Sequence, residues 1–116
     1  MIYIKKYDSI YMKLLFIKPS TNEDKKLMAK FENNGRTKTI HFGAKGYMDY
    51  TKYYAKDPAE AKIKRDAYDA RHKVNEDWSN PQTAGTLSKY ILWNKSTINK
   101  SLKDIEKRFN IKILYT

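Results

Sequence analysis

Apolar and polar residues alternate through the first third of the chain. Ile2-Tyr3-Ile4 and Ile10 to Ile17 are rich in β-branched and aromatic residues and predict two strands, with Lys5 to Ser9 as their turn. Pro19 closes the second strand because it has no N–H to give a ladder. Beyond the polar loop Ser20 to Asp24, Lys25 to Glu32 places Leu27, Ala29 and Phe31 on one face, with Met28, Lys30 and Glu32 on the other. Asn33-Asn34-Gly35 then carries the Asn-Gly pair, whose residues both accept positive φ in a tight hairpin. Arg36 to Phe42 alternates again, setting Lys38, Ile40 and Phe42 against Thr37, Thr39 and His41.

After Gly43-Ala44-Lys45-Gly46 the period changes. Asp57 is placed to cap a helix that opens with Pro58 and runs to about Val74. Ala61, Arg65, Tyr68 and His72 share its stripe, with Ala67 and Arg71 beside it, so it is amphipathic but weakly apolar. Asn75 to Gln82 is a loop. Thr83 caps a short helix, Ala84 to Trp93, with Leu87, Tyr90, Ile91 and Trp93 on its inner side. Gly85 in its first turn lowers helix propensity and implies close packing there. Ser96 or Thr97 caps a final helix, Ile98 to Phe109, whose Ile98, Leu102, Ile105 and Phe109 recur at helical spacing. Asn110 ends it, and Ile111 to Tyr115 alternates as a strand would. The fold class expected is therefore α+β. An N-terminal antiparallel meander of about four strands is followed by three helices and a candidate C-terminal edge strand, in one domain spanning residues 1–116.

Composition changes this picture in one direction. The formal net charge is +11, from 24 basic and 13 acidic residues, which points to a polyanionic partner. Nucleic acid, an anionic membrane surface and an acidic protein all qualify. A lysine-rich chain is also what an AT-rich genome encodes. The basic residues are mostly lysines, point charges suited to phosphate contact, whereas arginine's fork reads base edges. There are no cysteines, which excludes disulfides and thiolate metal sites. No run of about 18 apolar residues occurs, so no membrane insertion is expected. Met1 to Ile17 lacks a small-residue cleavage site and does not read as a signal peptide.

Three clusters are candidates for contact with an anion. The Gly43-Ala44-Lys45-Gly46 loop could nest a phosphate against its N–H groups, with Lys45 adding charge; a plain strand-to-helix turn reads equally well. The helix after Asp57 carries Lys62, Lys64, Arg65, Arg71, His72 and Lys73. It either lies along a phosphate backbone or forms a solvated face offset by Glu60, Asp66 and Asp69. Tyr47, Tyr50, Tyr53 and Tyr54 interleave with Lys45, Lys52 and Lys56, as stacking platforms for unpaired bases do and as ordinary core and rim tyrosines also do. For acid–base or metal chemistry the candidates are His41, Asp49, His72, Glu76 and Asp77. None shows ligand spacing, so no catalytic residue, metal or cofactor is assigned.

The order His41-Phe42-Gly43, Gly46, Asp49-Tyr50-Thr51, Arg71-His72, Trp78, Pro81, Thr83-Ala84-Gly85, Leu87-Ser88 and Ile91-Leu92-Trp93 resembles a family of small basic proteins of unknown function. That family is encoded by giant viruses and other large nucleocytoplasmic DNA viruses, and the likeness spans roughly Lys25 to Asn110. The resemblance implies a virion or a viral factory in the host cytoplasm and carries no activity with it. The expected function is non-enzymatic nucleic-acid binding, DNA before RNA, with little sequence preference and a part in genome organisation or packaging. The expected contacts are Lys45, Gly46, Tyr50, Lys52, Lys64, Arg65, Arg71, His72, Lys73 and Lys89. The alternative is a structural protein of the virion or factory, in contact with itself or with other virion proteins.

Overall fold

Three antiparallel strands and one short parallel strand make a mixed sheet in the order β3-β2-β1-β4. The computed structural model describes residues 12–114. The expected strand Ile2-Tyr3-Ile4 and the turn after it lie outside them. The strands are β1 (Met12–Pro19), β2 (Lys25–Asn33), β3 (Arg36–Ala44) and β4 (Ile111–Ile113). At the β2–β3 hairpin Asn34 has φ 55° and Gly35 φ 78°, the pair of positive values that a two-residue turn between twisted strands requires.

Strand β1 does not keep a strict alternation. Leu14 pairs with Phe31 and Phe16 with Lys30, so Leu15 is an extra residue opposite β2. This bulge lets Leu14 and Ile17 both face inward although they are three positions apart. They join Ala29, Phe31, Ile40, Phe42 and Ile111 in a core closed by Leu87, Ile91, Leu92, Leu102 and Ile105. Lys18 Nζ sits over the Phe16 ring, 4.3 Å from its centroid.

The described residues form four helices rather than the three expected. These are α1 (Tyr50–Lys56), α2 (Pro58–His72), α3 (Ala84–Leu87), which widens into a π-helical turn over Ser88–Leu92, and α4 (Ile98–Phe109). The sequence pattern missed α1. Its N-cap is Asp49, buried to 3 % exposure, whose carboxylate accepts from Lys26 Nζ at 3.0 Å and from the Thr51 hydroxyl and the Lys52 N–H. Asp57 ends α1 by donating its N–H to Tyr53 O at 2.8 Å, and its side chain then caps α2 by accepting from Ala59 N–H at 3.0 Å. One residue thus turns the chain between two helices, and α2 stops at His72, short of Val74.

In the π-helical turn the Trp93 N–H reaches back to Ser88 O at 3.1 Å. The extra residue in that turn shifts the phase, so that Ile91 and Leu92 both enter the core while Trp93 turns toward α2. Thr97 is the cap of α4, accepting from Lys100 N–H at 3.2 Å, and Asn110 ends it in the left-handed region at φ 54°. The chain then enters β4, which lies beside β1 in parallel register, Met12 opposite Ile111. The expected four-stranded antiparallel meander is thus three antiparallel strands among the described residues. The C-terminal edge strand is shorter than expected and runs parallel.

Candidate nucleic-acid interface

The helical hairpin α1–α2 meets the rest of the molecule along a seam of rings and cations. Tyr68 stacks on Trp93 with centroids 4.6 Å apart and planes 11° apart, and His72 stacks on the other side of Tyr68 at 4.1 Å. Tyr53 lies 6.3 Å from Trp93. The Arg65 guanidinium lies 4.4 Å from the Tyr50 ring centroid and donates to the Asn94 carbonyl at 2.9 Å. Lys89 Nζ stands 2.9 Å from Asp69 Oδ1, too oblique for a hydrogen bond, so that attraction is coulombic. These contacts fasten α2 to the π-helical turn and the loop after it.

Beside the seam is a cleft of about 580 Å³. Tyr53, Tyr68, His72 and Trp93 line one side, and Tyr47, 72 % exposed, stands in the loop that borders it. Lys25, Lys64 and Arg71 supply positive charge around it. Among the described residues neither Lys64 nor Arg71 has a carboxylate within ion-pair distance. Glu76 is the acidic group in the lining, held by His72 Nδ1 at 3.0 Å. Burial, followed by the negative charge of Glu76, pushes the Tyr68 hydroxyl up to about 12.

Glycines shape two walls of this cleft. At Gly43, φ 82°, a Cβ would lie 2.6 Å from Leu92 Cδ1, so the residue is fixed by both backbone and packing. At Gly85 a Cβ would collide with the Glu76 carboxylate. This is the close packing that a glycine in the first turn of α3 implied.

The ten expected contact residues divide. Lys64, Arg71 and His72 come together in the cleft. Tyr50 is buried, and Arg65 and Lys89 are committed to the internal contacts above. Lys45, Gly46, Lys52 and Lys73 are exposed without lining the cleft. The Lys45 N–H, the centre of the supposed anion nest, donates to Asp24 O at 3.1 Å. Of the acid–base candidates, His41 shares a hydrogen bond with the Ser20 hydroxyl at 2.7 Å, Asp77 accepts from Ser79, and Asp49 is the cap of α1. The cleft residues that the expected set lacked include Lys25, Tyr47, Tyr53, Tyr68 and Trp93. Tyr53 and Tyr47 stood among the interleaved tyrosines; Trp93 could be found only once the phase of the π-helical turn was known.

The DUF5754 family profile matches residues 15–72, half of the chain and nearly all of the segment from β1 through α2. The chain belongs to the DUF5754 family, a family of unknown function. The family segment holds the sheet hairpin and the α1–α2 hairpin, hence Tyr53, Lys64, Tyr68, Arg71 and His72. Gly85 and Trp93, which complete the cleft, lie beyond it. No curated protein and no solved structure matches the chain. No described helix is long and apolar enough to cross a membrane.

Proposed function

We propose that this chain is a non-enzymatic nucleic-acid-binding protein that grips the phosphate backbone with little sequence preference, DNA before RNA. The observation that carries the reading is the meeting of Lys25, Lys64 and Arg71 around one aromatic cleft, with Lys64 and Arg71 free of carboxylates. The net charge of +11 and the preponderance of lysine support it. The likeness to small basic proteins of large DNA viruses extends it to a genome-organising or packaging role in a virion or viral factory.

Each phosphate neutralised releases counterions, so affinity falls with salt. With about six contacts it drops by about three orders of magnitude between 50 and 200 mM salt. Fluorescence anisotropy with a labelled oligonucleotide across that range tests this. The double variant Lys64→Gln/Arg71→Gln lowers the slope of log affinity against log salt by about two. Absent or salt-independent binding rejects the proposal.

A further inference from the structure

We infer that the cleft receives an unpaired nucleobase, so that the protein prefers single-stranded to duplex nucleic acid; this rests on the phosphate-binding reading above. A duplex keeps its base faces stacked inside and offers phosphates and groove edges outside. A convex surface of lysines would suffice to hold it. The basic residues here instead surround a concavity of about 580 Å³ lined with aromatic rings, within the size range of sites that enclose a small organic ring system. Tyr68, Trp93 and His72 already stack on one another, so the open ring is Tyr47, and an unpaired base presents a π-face that can cover it.

The arrangement of charge agrees. Lys64 and Arg71 lie two helical turns apart along α2, placed for a backbone passing over the hairpin. Glu76, in the same lining, would repel a phosphate, yet it can accept a hydrogen bond from a base N–H or amino group. Tyr47 exposes most of its ring beside the entrance, where a neighbouring base could stack on it. The lining thus separates a place for the sugar-phosphate from a place for the base.

The test compares three ligands of equal length by anisotropy at fixed salt: an oligothymidine strand, the same strand made abasic at alternate positions, and a duplex. The abasic strand keeps its phosphates and loses base faces. The intact strand should bind about tenfold tighter than the abasic one. Tyr47→Ser, which removes an exposed ring and leaves the core untouched, should narrow that gap without changing the salt slope. Equal affinity for intact and abasic strands, or tighter binding of the duplex, overturns the base-receiving cleft while leaving phosphate binding in place. No binding to any of the three overturns both.

Discussion

The sheet with α3 and α4 over it, and the α1–α2 hairpin, are joined in one chain but held by different forces. The sheet region buries Leu14, Phe31, Phe42 and Ile91 almost completely, and its cohesion is non-directional burial of apolar area. The hairpin buries only Tyr50, Ala61 and Tyr68. It is fixed by the Arg65–Asn94 hydrogen bond, the Lys26–Asp49 and Lys89–Asp69 ion pairs and the Trp93–Tyr68–His72 stack. Such contacts are directional and fix orientation, and orientation is what a site made of ring faces and cations requires. The cleft lies where the two kinds of cohesion meet.

The strongest challenge to this contrast is Phe42→Ala. Truncating this fully buried ring should cost about 3–5 kcal/mol. The hairpin, with little core of its own, should unfold in the same thermal transition. A circular-dichroism melt that left helical signal behind would show the hairpin to be self-sufficient. A sharper probe is Arg65→Ala, which removes a charged hydrogen bond and the cover over Tyr50, with an expected loss of about 2 kcal/mol. Hydrogen exchange should then show lost protection in α1 and α2 with β2 and β3 unchanged. Uniform loss across the chain would mean one cooperative unit, and the contrast would fall.

The gentlest probe is alkaline pH. The Tyr68 hydroxyl titrates near 12 in place of its ordinary 10.0 because the folded state disfavours its charged form. Its contribution to stability is therefore whole below pH 10 and is lost as pH rises from 10 to about 12. Phenolate absorbance should show a late-titrating component, and Tyr68→Phe should remove that part of it. Retention of the late step in the variant would place the tight aromatic packing elsewhere.

The sequence made some of this legible where local chemistry decides conformation. Asn34-Gly35 named the hairpin, Asp57-Pro58 the start of α2, and Ile98, Leu102, Ile105 and Phe109 the inward stripe of α4, with Leu102 and Ile105 buried and the other two partly so. Other features depend on partners distant in the chain. The bulge at Leu15 breaks the period because β2 sets the pairing. Helix α1 is short and tyrosine-rich, and its cap is anchored by Lys26 from the sheet. The cleft suffered most from this. Lys64 and Arg71 fall on one flank by helical spacing alone, whereas His72 shared a stripe with Arg65, which looked equally free, and Arg65's carbonyl partner at Asn94 could not be seen from α2. The anion nest at Lys45 failed for the same reason, since Asp24 takes its N–H.

The pairing of β4 with β1 bears on how the molecule assembles. Met12 and Ile111 stand at opposite ends of the described chain, yet the ladder places them side by side, with both hairpins and α3–α4 inside the closed loop. Contacts of such wide sequence separation are entropically slow to form. The β1–β2–β3 ladder and the α1–α2 turn can nucleate locally, early in synthesis. The β1–β4 ladder must await translation of β4. A nascent chain would therefore carry a finished β2–β3 hairpin before Ile111–Ile113 can join β1.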